Sequence, residues 1–116
     1  MSTTSPFLQK LPDGNHHLMV KGKPFFMRAG ELHNSSMSSS TYMNRKVWPQ
    51  MVANNINTVL GVVSWENIEP EEGQFDFRHL DEILEGARSH GLKLVILWFA
   101  SIKNCMSLPR SPRYPE

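Results

Sequence analysis

The chain has one cysteine, Cys105. A single thiol excludes an internal disulfide framework and any cysteine-rich metal site, and no nucleophile motif surrounds it. Long apolar runs are also missing. The longest, Leu94 to Ala100, is strand-sized and far below the roughly 18 to 20 residues that span a bilayer. The amino terminus, M-S-T-T-S-P-F-L-Q-K-L-P-D-G, has no continuous apolar core of a secretory signal, so the expectation is a cytoplasmic protein with no membrane partner. Charge of one sign is equally scarce. Lys and Arg number 12 against 11 Asp and Glu, a formal net charge of +1 with no long run of either sign, which gives no electrostatic case for nucleic acid. There is no glycine-rich phosphate loop, because Gly61 stands alone in an apolar stretch and Gly30 is not followed by further glycines. His16 and His17 are adjacent rather than spaced for one helical face, and no H-E-x-x-H occurs. No metal and no cofactor is therefore expected.

What is present suits an ordinary globular fold. The 116 residues are 40% hydrophobic and 20% charged, enough for one small domain or part of a larger one and too apolar for wholesale disorder. Residues 1–14 are polar and turn-rich, ending in Pro12-Asp13-Gly14, and read as a flexible amino-terminal segment. His16 to Val20 and Pro24 to Ala29 flank Lys21-Gly22-Lys23, a hairpin pattern. A serine-rich loop follows from Ser35 to Ser40. Met43, Val47 and Met51 then recur at helical spacing with Trp48 and Val52. Pro49 is costly inside a helix but tolerated at its start, so the expectation is a short turn near Tyr42 and a main helix from Trp48 or Pro49.

Ile56 to Trp65 is rich in valine and leucine and largely lacks polar alternation, the mark of a strand covered on both faces. Asp76 is placed to cap a second helix with an apolar stripe of Phe77, Leu80, Ile83, Leu84 and Ala87, and Gly91 to end it. Leu92 to Ala100 is another nearly continuous apolar strand. Strands joined by helices in this order predict an α/β fold with a parallel sheet. Residues 105–116 form a proline- and arginine-rich tail with no periodicity, expected to be disordered.

In such a sheet ligands gather at the carboxyl ends of the strands. The first end offers Glu31 and His33, the second Trp65 and Glu66, the third Asn104. Carboxylates and amides bond hydroxyls, and an indole face packs on the apolar face of a pyranose, so these residues suit a neutral polyhydroxylated ligand. Each has a plainer role beside it: His33 as a hydrogen-bonded structural residue, Trp65 as core. Glu69, before Pro70, is expected to fix the turn, and Glu71 and Glu72 to be solvated.

The runs F-F-M-R-A-G-E-L-H-N, N-I-N-T-V-L-G-V-V-S-W-E-N-I-E-P-E-E-G-Q-F-D-F and L-D-E-I-L-E-G-A-R-S-H-G-L-K-L-V-I-L-W-F resemble the start of a glycoside hydrolase family 35 barrel. The resemblance is to its beta-galactosidase-like branch and covers about residues 15–104. The related family 42 shares the W-x-x-x-E-P-x-x-G-x-F-x-F theme. The resemblance implies the first three strand-helix units of a (β/α)8 TIM barrel preceded by a small β-hairpin. It also implies retaining hydrolysis of terminal beta-galactosides by two carboxylates about 5 Å apart. Those carboxylates belong at the ends of the fourth and seventh barrel strands. Counting strands here puts both beyond Glu116, which implies no catalytic residue within the chain and an inactive fragment. Where family 35 has W-N-x-H-E-P, this chain has Trp65-Glu66-Asn67-Ile68-Glu69-Pro70, a departure that marks a divergent subfamily. Two other roles stay open: a non-catalytic sugar-binding remnant, and a piece that assembles with the remainder of the barrel.

Overall fold

The computed structural model describes residues 5–99. Asn104, Cys105 and the 105–116 tail lie outside the described residues. Two sheets are present. The first is antiparallel, with strands β1 (Phe7–Lys10), β2 (His16–Val20) and β3 (Lys23–Pro24) in that order. Residues 1–14 read as turn-rich, yet Phe7–Lys10 pairs with β2 from Phe7↔Met19 to Lys10↔His16. The expected hairpin is thus the second half of a three-stranded sheet. Its outer arm, Lys23–Pro24, is shorter than the apolar pattern predicts.

The second sheet is parallel, with β4 (Ala29–Glu31), β5 (Thr58–Ser64) and β6 (Lys93–Phe99) in that order. Ala29, Thr58 and Lys93 share one level across it. β4 is only three residues long. Phe25 donates its N–H to Leu18 in the antiparallel sheet.

Between β4 and β5 the chain forms one helical segment: a turn α1 (Ser40–Tyr42), a wide π turn (Met43–Val47) and α2 (Trp48–Ala53). The break expected before Trp48 is absent, for a definite reason. The Trp48 N–H donates to Met43 O, five residues back. This wider turn precedes Pro49, whose ring would collide with the carbonyl four residues back in a regular α-helix. The chain bulges instead of stopping. Between β5 and β6 lie a short helical turn α3 (Trp65–Ile68) and the helix α4 (Arg78–Ser89). Asp76 sits one residue before the N-cap, Phe77, but its Oδ1 still accepts the Arg78 N–H at 3.0 Å. At the other end Gly91 adopts φ +70, with Leu92 N–H on Ala87 O and Gly91 N–H on Arg88 O. That is a complete Schellman closure, which a side chain at Gly91 would strain.

The core lies between the helices and one face of the parallel sheet. Alternation puts Val59, Gly61 and Val63 on that face, where Val59 and Val63 cluster with Met37, Met43, Trp48, Ile83 and Ala87. Each large side chain taken fully from water contributes about 2 kcal/mol. Two glycines make the approach close. A Cβ on Gly61 would strike Met37 Sδ, and one on Gly86 would lie 2.6 Å from Trp48 Nε1. Gly86 therefore joins the buried stripe of α4, while Phe77, expected there, is half exposed.

At the amino end of this sheet Asn57 ties three segments together. Its Oδ1 accepts the Arg28 N–H at 2.8 Å, its Nδ2 donates to Phe26 O at 2.8 Å, and its carbonyl accepts the Lys93 N–H at 2.9 Å.

Candidate functional site

The carboxyl end of β5 carries the densest polar chemistry of the parallel sheet. Ser64, buried and extended, ends the strand, and the chain coils at once into α3. Glu69 follows with only 6% of its surface exposed. Its Oε2 accepts the Trp65 indole N–H at 2.6 Å and its Oε1 accepts the Gly73 N–H at 2.8 Å. The spacing W-x-x-x-E-P-x-x-G thereby acquires a physical meaning. One helical turn sets Glu69 over Trp65, Pro70 directs the chain outward, and Gly73, at φ +79, takes a backbone conformation that other residues enter at a cost. The Asp76 N–H then donates to Ile68 O at 2.7 Å and closes the loop. Glu69 fixes the turn, as its place before Pro70 predicts.

Glu66 behaves otherwise. It sits in the first turn of α3, half-buried, and its Oε2 is shut away from solvent with no hydrogen-bond partner among the described residues. Burial pushes its carboxyl above the ordinary value of 4.5.

The other sequence candidates are more dispersed. Glu31 ends β4 and is exposed, on the sheet face opposite the helices. Register sets it level with Leu60, four residues short of Ser64, or about 13 Å along the strand at 3.3 Å per residue. His33 is exposed in the loop after β4, where its carbonyl accepts the Ser36 N–H. Trp65 is half-buried with its indole N–H held by Glu69. The structure brings Trp65 and Glu66 together and leaves Glu31 lower on the sheet.

The serine-rich loop is more ordered than its composition implies. Met37 is buried against Gly61, and a ring nitrogen of His79 lies 2.6 Å from the Met37 carbonyl oxygen. The signal for this anchor was an isolated glycine in a strand facing a lone methionine among serines. A separate solvent-open groove of about 700 Å³ runs along α4 beside Ser40 and Asn44, and none of Glu31, His33, Trp65 and Glu66 lines it. Among the described residues no group of three or more His, Cys, Asp or Glu is placed to hold a metal ion, and no helix is long and apolar enough to cross a membrane.

Comparison with known proteins shows first which class of protein the chain is similar to, the beta-galactosidases. Beta-galactosidase BglY of Alicyclobacillus acidocaldarius is 27% identical over 108 residues, covering 84% of this chain and 15% of that protein. Beta-galactosidase GalA of Bacillus licheniformis is 27% identical over 94 residues, 73% of this chain and 13% of that protein. Residues 28–101 match the sequence model of glycoside hydrolase family 42, described as beta-galactosidase. The chain belongs to that family. The resemblance to family 35 is corrected accordingly: the theme shared by the two families, now explained by the Glu69 clasp, carries the likeness. Among solved structures, endo-glycoceramidase II from Rhodococcus sp. aligns with a TM-score of 0.47 and 20% identity over 79% of this chain and 20% of that one. The chain spans about one-seventh of the length of the curated relatives it matches.

Proposed function

We propose that this chain is the amino-terminal portion of a retaining beta-galactoside hydrolase and supplies one wall of its sugar site. The family 42 match over residues 28–101 carries this reading. The parallel order of β4, β5 and β6, with helices in both connections, supports a place at the start of a (β/α)8 barrel. Glu66 is the proposed sugar-facing acceptor, on the carboxyl side of β5 where barrel enzymes bind substrate. Trp65, Glu31, His33 and Asn104 are the further proposed contacts.

Retaining hydrolysis needs two carboxylates about 5 Å apart, one acting as acid/base and one as nucleophile. In this reading neither is Glu66 or Glu69. Glu69 is committed to Trp65 and the Gly73 turn, and of Glu66 only a buried, unpartnered Oε2 is seen among the described residues. The acid/base and the nucleophile are assigned to strands outside these 116 residues, and completion by such strands is part of the proposal.

The test is an assay of the purified chain on an aryl beta-galactoside. No turnover is expected, and turnover abolished by Glu66→Gln would overturn the assignment. A second reading, sugar binding without hydrolysis, draws on the unpartnered Glu66 oxygen. Calorimetric titration with galactose separates the two: saturable heat that is lost in Glu66→Gln supports binding by the isolated chain.

A further inference from the structure

The loop after β4 is held by elements that arrive much later in the chain. Five of the six residues from Ser35 to Ser40 are serine, which bury little apolar surface, so order here has to come from other contacts. The Leu32 N–H donates to Leu60 O at 2.9 Å and ties the start of the loop to β5. Met37 is buried, its thioether against Gly61, where any added side chain would collide with it. A ring nitrogen of His79, Nε2, lies 2.6 Å from the Met37 carbonyl oxygen, and the Ser40 hydroxyl donates to Glu82 Oε2 at 2.7 Å. His79 and Glu82 are three residues apart and share one face of α4; Met37 and Ser40 are three apart in the loop. A carbonyl oxygen only accepts, so His79 carries its proton on Nε2.

Between its two anchors the loop closes on itself. The Ser36 N–H donates to His33 O at 3.0 Å, and the Ser38 N–H and hydroxyl both donate to Ser35 O, at 3.1 and 2.6 Å. The backbone of His33 is thus set between the Leu32 tie and a turn that hangs on Met37. His79 is equally fixed on its own side. It lies in the first turn of α4, directly after the loop in which the Asp76 N–H donates to Ile68 O and Asp76 Oδ1 accepts the Arg78 N–H. One imidazole therefore joins the strand end that carries His33 to the strand end that carries Trp65 and Glu66. We propose that His79 is a positioning residue, which through Met37 holds His33 in one geometry relative to the end of β5. The role rests on the sugar-site reading given above, and His79 itself touches no sugar.

Amide hydrogen exchange and NMR of the full chain test it. His79→Leu is expected to speed exchange at the Ser36 and Ser38 amides about tenfold, the worth of one hydrogen bond, and to shift the His33 ring resonances. The Thr58–Ser64 amides of β5 are expected to keep their rates. His79→Gln, whose amide nitrogen reaches the place of Nε2, is expected to restore both signals. Unchanged loop rates in His79→Leu, a uniform loss of protection through β5, or no rescue by glutamine overturns the proposal. If the variants fail to fold, the native chain decides: an Nδ1–H tautomer at His79, or unprotected Ser36 and Ser38 amides, overturns it. Titration with galactose is a separate arm. The native chain is expected to respond at His33 and Glu66 together and His79→Leu at Glu66 alone; a His33 response that survives His79→Leu overturns the positioning role. A native chain that responds nowhere counts against the sugar reading, and the exchange rates still decide whether His79 holds the loop.

Discussion

Glu66 and Glu69 lie one helical turn apart in the same short loop, and the fold treats them oppositely. Glu69 is buried and both of its carboxylate oxygens accept hydrogen bonds, from the Trp65 indole and the Gly73 amide. Glu66 is more exposed as a residue, yet one of its oxygens is sealed from water with nothing to bond. A carboxylate with its partners supplied builds structure; one lacking a partner is a standing cost that a ligand can offset. The same division separates the two ends of the parallel sheet. At the amino end Asn57 bonds its neighbours through both side-chain atoms, while at the carboxyl end Glu66 Oε2 has no partner among the described residues. Barrel enzymes divide stability and binding between their ends in this way.

The comparison breaks most sharply at Glu69. Glu69→Ala removes the charged acceptor of the Trp65 indole N–H and of the Gly73 amide. Hydrogen bonds to charged groups contribute about 1.5–3 kcal/mol each, so the expected loss of stability is about 3 kcal/mol. Urea denaturation at fixed protein concentration reads it as a lower midpoint. Glu66→Ala, three residues away, is expected to cost far less; equal costs would end the distinction between clasp and open carboxylate.

Gly73→Ala asks whether the clasp depends on the turn it holds. With φ at +79 an added Cβ meets no neighbouring atom, so the penalty is purely conformational, about 1–2 kcal/mol. In Glu69→Ala, where the turn is already released, the same substitution is expected to cost less. A double-mutant cycle measures that coupling, and strict additivity would mean that Glu69 and Gly73 act separately.

Much of this was legible from the sequence because local rules and burial agreed. The apolar block ending at Ser64, the periodic helix through Ile83 and Ala87 and the closing Gly91 each follow from pattern, and each is present within a residue or two. The turn role of Glu69 was legible from Pro70 beside it. What escaped were features set by distant partners. The β1 strand, Phe7–Lys10, is exposed throughout and too short to show a pattern, and it is placed by pairing with β2. The helix continues past Pro49 because a π turn makes room for the ring, and Gly61 and Gly86 are small because Met37 and Trp48 come from elsewhere in the chain to fill the space. The two glutamates show the limit most clearly. Both follow the same strand, and while Pro70 marks Glu69 for the turn, nothing local marks the Glu66 oxygen that is buried without a donor.

Glu66→Gln sharpens the contrast with the smallest expected change, and its sign is the informative part. Burial raises the folded-state carboxyl above its ordinary value of 4.5, so the folded chain holds this proton more tightly than the unfolded one. Protonated Glu66 is therefore the form that favours folding. Its contribution is fully present below the unfolded value and is lost as pH rises through the folded one. Native chain is expected to lose stability across that interval, and Glu66→Gln, which keeps the shape without the charge, is expected to show a flatter profile there. The two profiles should converge at low pH and separate toward neutral, with the glutamine variant equal or slightly more stable. Glu69→Gln is expected to do the reverse at neutral pH, because there the charge is held by donors. Thermal midpoints at a series of pH values read both variants, and a native profile that rises across the interval would place Glu66 among the partnered carboxylates.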